Sequence, residues 1–155
     1  LAALLALAVI AASGWYFLRN FIGETAADTL VATAVGAPID LKDEIVSVAA
    51  GHSQGIPITL PYAGELQLQV AIVKGKHVNV YMIDSAAWDE FSKAQAAVFG
   101  GKFHQYPAFA ATEATQVRRS GRLNAGTYYV VVENPTLGIL VPASFDVAVK
   151  ASLRP

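Results

Sequence analysis

The sequence predicts a mainly β protein: an antiparallel β-sandwich with one short inserted helix, preceded by a single N-terminal transmembrane α-helix. Three observations carry that expectation. The segment "ELQLQVAIV" (Glu65–Val73) sets Leu66, Leu68, Val70 and Ile72 against Gln67 and Gln69, the period of two of a half-buried strand. Comparable short segments recur, seven or so in all, with turn signals at regular spacing between them, the pattern of a sandwich. The opening stretch, Leu1 to Leu18, carries no charge.

The opening stretch is followed by Arg19, Asn20, Phe21 and Ile22. About 20 apolar residues in a helix span a bilayer. Trp15 and Tyr16 fall where amphipathic rings settle at the lipid–water boundary, and Arg19 can reach the same boundary. A cleavable signal peptide is the rival reading, with "AAS" at Ala11–Ser13 as a loose cleavage site; a retained anchor over residues 1–22 is preferred. Ala2 and Ala6 lie four apart, as do Ala8 and Ala12, a spacing that lets a second helix approach closely. Alanine is also simply common in membrane helices, so the packing reading stays beside that one. Arg19 argues weakly against an exported C-terminal part. Even so, a lone N-terminal anchor resembling a signal sequence leads its chain outward, to the periplasm or cell exterior.

The remaining elements follow in order. Residues 23–43 read as a connector around Gly36-Ala37-Pro38, and residues 44–155 as the sandwich. "EIVSVAA" (Glu44–Ala50) is a short apolar strand. "IPITLP" (Ile56–Pro61) alternates, and Pro57 and Pro61 suit an edge strand or strand ends. After the turn "YAG" comes the Glu65–Val73 strand. "KGK" then returns the chain into "HVNVYMI" (His77–Ile83), with Val78, Val80 and Met82 on one face, so that the two strands read as a β-hairpin. Asp84 or Ser85 caps a helix with Asp89 and Glu90 in its first turn and Trp88, Phe91 and Val98 on one face. "GGKFHQYP" breaks it. Ala108–Leu123 holds one or two strands, and "NAG" turns into the β-branched and aromatic strand "TYYVVVEN" (Thr127–Asn134). "PTLGILVPAS" is a loop before a last strand, "FDVAVKASL", with Phe145, Val147 and Val149 on one side.

Three stretches together, "LPYAGELQLQVAIVKGKHVNVYMIDSAAWDEF", "LNAGTYYVVVENP" and "FDVAVKA", resemble a GOLD-like or bacterial pre-peptidase C-terminal-like sandwich over about Ile56–Leu153. The matching motifs are structural: a tight turn at Gly126, and a core strand opened by Tyr128 and Tyr129. The resemblance implies an accessory or interaction module and transfers no catalytic residue.

The stretch "GHSQG" (Gly51–Gly55) fits the G-x-S-x-G pattern of a serine-hydrolase nucleophile elbow. An elbow needs a strand, a strained turn and then a helix. "IPITLP" cannot supply that helix. An order Ser53, Asp84 or Asp89, His104 can be written, but the large parallel sheet it needs does not fit this length. A glycine-bracketed β-turn is preferred, with the glycines supplying positive φ.

Other chemistry is sparse. The chain has 155 residues, 11 basic and 12 acidic, for a net charge of −1 and no polyelectrolyte character, so no nucleic-acid partner is implied. It has no cysteine, which excludes thiol catalysis and thiolate metal sites. His52, His77 and His104 are scattered, and Asp40, Asp43 and Glu44 lack a calcium-loop glycine, so neither a metal nor a cofactor is expected. "RRSGR" (Arg118, Arg119, Arg122) could meet lipid phosphates or an acidic partner, or form a solvated hairpin turn. Trp88, Phe91 and Phe99 could cover the sandwich end or dock on a partner.

The functional expectation is a non-catalytic accessory or stabilising subunit of a larger membrane complex, respiratory, photosynthetic or transport. Its partners would be the bilayer and other transmembrane subunits, met through Ala2, Ala6, Ala8 and Ala12 in the membrane and through Trp88, Phe91, Arg118, Arg119 and Arg122 outside it. A membrane-tethered module binding a carbohydrate, peptide or lipid is the alternative, and an esterase using Ser53 ranks last.

Overall fold

Strands with one apolar face are stable only when that face is covered, and here two sheets cover each other. The structure is a computed structural model that describes residues 36–96, 104–136 and 144–155. It contains strands β1 (Ile39–Val48), β2 (Ser53–Leu60), β3 (Gly64–Lys74) and β4 (Val78–Asp84), then helix α1 (Ser85–Ala96) and a single 3-10 turn (Pro107–Phe109). Strands β5 (Ala111–Ala114), β6 (Gln116–Leu123), β7 (Gly126–Glu133) and β8 (Phe145–Arg154) complete it. The strands form two antiparallel four-stranded sheets, ordered β1-β8-β3-β6 and β2-β7-β4-β5, and all but Ile39 of their residues lie in the compact unit Asp40–Pro155. Among the described residues no helix is long and apolar enough to cross a membrane. The expected transmembrane segment 1–22 with Ala2, Ala6, Ala8 and Ala12, together with Val98 and Phe99, lies outside them.

Alternation decides which side chains meet. Leu66, Leu68 and Val70 of β3, Val147, Val149 and Leu153 of β8, Ile56, Ile58 and Leu60 of β2, Val78, Val80 and Met82 of β4, and Val130 and Val132 of β7 are all at most 1% exposed. Each such side chain contributes roughly 1.5–3 kcal/mol when taken fully out of water. The 3-10 turn adds Phe109, also buried, beneath β6. Pro57 lies in β2, which is an edge strand as its proline required: an edge position leaves the missing N–H unneeded.

Three expectations change. Strand β1 begins at Ile39, inside the stretch read as connector. Strands β3 and β4 do not form a hairpin: β3 pairs with β6 and β8, and β4 with β5 and β7, so the "KGK" link carries the chain from one sheet to the other. Both arrangements place Leu66, Leu68 and Val70 and Val78, Val80 and Met82 in one core, which is why alternation could not separate them. Strands β5 and β6, divided only by Thr115, likewise belong to different sheets. Finally, Asp84 caps α1 by accepting the Ala87 N–H at 2.8 Å, and this places Asp89 and Glu90 in the second turn, with no acid in the first.

Helix α1 covers the outer face of the β2-β7-β4-β5 sheet. Ala87 and Phe91 are buried with Ile83 and Val131, and Tyr81, Trp88 and Tyr129 pack around them. The Trp88 ring stacks on Tyr129 at 4.6 Å and 7° and meets Phe91 at 5.7 Å. It also passes directly over Gly55, where a Cβ would come within 2.2 Å of its six-membered ring. The close approach explains this glycine.

Gly55→Ala is therefore expected to lower stability by about 1–3 kcal/mol through overpacking, read as a shift of the urea midpoint. Because Trp88 is the obstacle, Gly55→Ala combined with Trp88→Leu should cost less than the sum of the two single changes.

Candidate interaction site

The "GHSQG" motif is a turn that runs into a strand. Ala50 and Gly51 make the turn, with Gly51 at φ +70° and the His52 N–H donating to the Ala49 carbonyl at 3.1 Å. His52 Nδ1 donates to the Ala50 carbonyl at 2.9 Å. Ser53, Gln54 and Gly55 already belong to β2, opposite Glu133, Val132 and Val131 of β7. The expected turn thus ends three residues early: Gly51 supplies the positive φ, whereas Gly55 serves the contact with Trp88. Strand, not helix, follows Ser53, so the local frame of a nucleophile elbow is missing. The Asp84 carboxylate of the written triad is the helix cap, and His104 is exposed, edge-on to Tyr106 at 5.7 Å.

The turn is fastened by a residue that sequence reading passed over. Asn134, just beyond β7, is fully buried. Its Nδ2 donates to the Val48 carbonyl at 3.1 Å, and its Oδ1 accepts the Thr136 N–H at 3.1 Å. Its main chain receives the Gly51 N–H and donates to the His52 carbonyl, both at 3.0 Å. One amide therefore ties the end of β7 to the β1–β2 turn. The signal in the sequence was an asparagine closing a β-branched run, a position where an amide can satisfy backbone groups on both sides.

On the outer face of the same sheet, Glu133 accepts a hydrogen bond from Asn79 Nδ2 at 2.8 Å and another from the Tyr81 hydroxyl. The Asn79 Oδ1 accepts the Glu113 N–H at 3.0 Å. Glu113 stands at φ +50°, where the register between β4 and β5 shifts. Burial, and then the neighbouring Glu133 carboxylate, push the Tyr81 hydroxyl well above its ordinary value of 10.0. Tyr128 donates to the Asn124 carbonyl at 3.1 Å, closing the corner before β7. Tyr106 meets it edge-on at 5.5 Å and is likewise pushed up, chiefly by burial. These polar groups serve the fold.

The aromatic candidates divide from the basic ones. Phe91 is buried and Trp88 half-buried, both against the protein's own sheet, so the pair is a cover for that sheet and not an exposed aromatic patch. Arg118, Arg119 and Arg122 are all exposed, and they lie within β6 instead of in a hairpin turn. Val117 and Leu123 face the core, and Gly121 lies beneath the Phe109 ring, which commits the segment to a strand. Arg118 and Arg122 stand opposite Gln69 and Glu65. Across β3 the next neighbours of those two are Lys150 and Arg154 of β8. The acidic cluster lies at the far side, where Asp43 pairs with Lys150 at 2.8 Å and holds its ammonium above the usual value, and Glu44 pairs with Lys42 at 3.2 Å. Among the described residues no group of three His, Cys, Asp or Glu side chains could hold a metal ion.

Two outcomes follow. Asn134→Ala should cost about 1–3 kcal/mol by leaving buried backbone groups unpaired, measured by urea unfolding, and Asn134→Asp should not restore it because the donor to Val48 is lost. For Tyr81, the native state keeps a proton that the unfolded chain releases above pH 10, so stability falls as pH rises past that point. Tyr81→Phe should flatten the fall of the unfolding midpoint across this alkaline range.

No protein-family model matches the chain, and no curated protein matches it. Among solved structures it is similar to the pre-peptidase C-terminal domain of a collagenase from Bacillus anthracis, determined at 1.0 Å. The two share 11% sequence identity, with a TM-score of 0.48 over 72% of this chain and 88% of that one. That domain is of the type that the strand motifs resemble.

Proposed function

We propose that this protein is a non-catalytic accessory subunit of a larger membrane assembly. Its uncharged opening segment anchors it, and its exported sandwich holds neighbouring subunits. The observation that carries the reading is the exposed arginine set of β6, Arg118, Arg119 and Arg122, gathered on the end strand of a sheet. Arginine combines charge with a planar fork of donors and is enriched where proteins meet. The small-residue spacing of Ala2, Ala6, Ala8 and Ala12 supports the same reading within the bilayer.

A second reading, a tethered ligand-binding module, draws support from one feature. A shallow polar depression on the outer face of the β1-β8-β3-β6 sheet is lined by Gln67, Gln69, Lys150 and Ser152 with Asp40 and Asp43. Its open, polar character suits a weakly held, hydrated ligand more than an apolar one.

Extraction in mild detergent followed by native gels separates the two. The accessory-subunit reading expects migration in a larger species with copurifying membrane proteins. Migration solely as a lone monomer would overturn it.

A further inference from the structure

We propose that the edge of β6, which no other described strand pairs, receives an acidic, extended segment of a partner protein as an additional strand. This deepens the interaction-module reading and rests on it.

The phase of the β3–β6 ladder identifies which backbone groups are open. The Ile72 N–H donates to the Thr115 carbonyl at 3.1 Å. From that pair, β3 and β6 run in unbroken antiparallel register from Ala71 and Gln116 to Gly64 and Leu123. In an antiparallel ladder, residues alternate between turning both backbone groups toward the partner and turning both away. Thr115, Val117, Arg119, Gly121 and Leu123 therefore face β3, and Gln116, Arg118, Ser120 and Arg122 direct N–H and C=O outward. A separate contact agrees with this phase: the Arg118 carbonyl is reached by Arg119 Nη1 at 3.4 Å.

Among the described residues the other sheet's two edges are blunted, and of this sheet's two end strands β1 carries Asp40, Asp43 and Glu44 whereas β6 is cationic. Strand β2 carries Pro57, and β5 is four residues long with its register broken beside Glu113; both are ordinary ways to blunt an edge. Strand β6 is eight residues long, has no proline and pairs with β3 without a bulge.

Charge selects the occupant. Strand β6 holds three arginines and no acid. Arg118 and Arg122 share the outer face with Gln69 and Glu65, while Arg119 stands opposite Leu68 on the inward side and is still exposed. An added strand would meet cations on both of its faces. The spacing of Arg118 and Arg122, four residues or about 13 Å, fits two carboxylates four positions apart on one face of an extended peptide. Backbone pairing supplies affinity in such an addition, and the charged side chains supply selectivity.

The test uses the full chain in nonionic detergent and a fluorescein-labelled peptide of about ten residues, alternating Thr and Val with two Glu four positions apart. Fluorescence anisotropy should show saturable binding that weakens at least about tenfold with Arg118→Glu plus Arg122→Glu and falls as salt rises. Ser120→Pro removes an outward N–H without touching the β3 ladder, and it should weaken binding several-fold with the arginines intact. Should that variant fail to fold, the same peptide N-methylated at alternate amides tests the backbone term, and it should not bind. Equal binding of a Lys-for-Glu peptide, indifference to N-methylation, or no saturable binding at low salt would each overturn edge pairing. A peptide that fails while membrane proteins still copurify refutes the edge alone. A peptide that binds to a chain migrating as a lone monomer refutes the accessory-subunit reading alone.

Discussion

Exclusion of water from between the two sheets is the constraint on which everything else in the sandwich rests. Leu66, Leu68 and Val70 can be buried only if Val80, Met82, Val130 and Val132 face them from the other sheet, so the two sheets stand or fall together. This constraint explains why the chain crosses between sheets so often. The β3–β4 and β5–β6 links both change sheet, and each strand enters with its apolar residues already in the right phase. A slip of one residue in any of them would turn that whole set into solvent.

The two outer faces are handled differently. One is covered by α1, with Trp88 stacked on Tyr129 above Gly55 and with Phe91, Ala87, Ile83 and Val131 sealed beneath the helix. The other is polar, with rows of glutamine, serine and charged side chains running across β6, β3 and β8. The aromatic surface of Trp88 and Phe91 is therefore consumed internally, whereas the end strand β6 presents its arginines outward. That division is the basis for assigning contact with partners to the arginines instead of the aromatic residues.

Most of the architecture was legible in the sequence because alternation reports burial directly. The strands around Leu66–Val70, Val78–Met82, Val130–Val132 and Val147–Leu153 were readable for that reason, while Pro57 left an edge strand as one of two readings. Pairing partners were not, because inward faces in a hairpin and inward faces in opposing sheets obey the same period. Whether "RRSGR" formed strand or turn stayed open in the sequence, since its core contacts are spread thinly over Val117, Gly121 and Leu123. Of the site, the arginines were visible as a charge cluster, but their gathering on the end strand of a sheet depends on long-range topology that no local pattern encodes. Asn134 escaped notice because its value lies in backbone groups more than eighty residues away, at Val48.

The junction at Asp84 has a consequence of its own. Strand β4 passes into α1 with no intervening loop, and the last strand residue is also the helix cap. Each residue of a helix turns its side chains by about 100°. Inserting or deleting a single residue here would swing Trp88 away from Tyr129 and roll Phe91 outward. The chain can tolerate changes in length at its exposed turns, but at this point its residue count is locked by geometry.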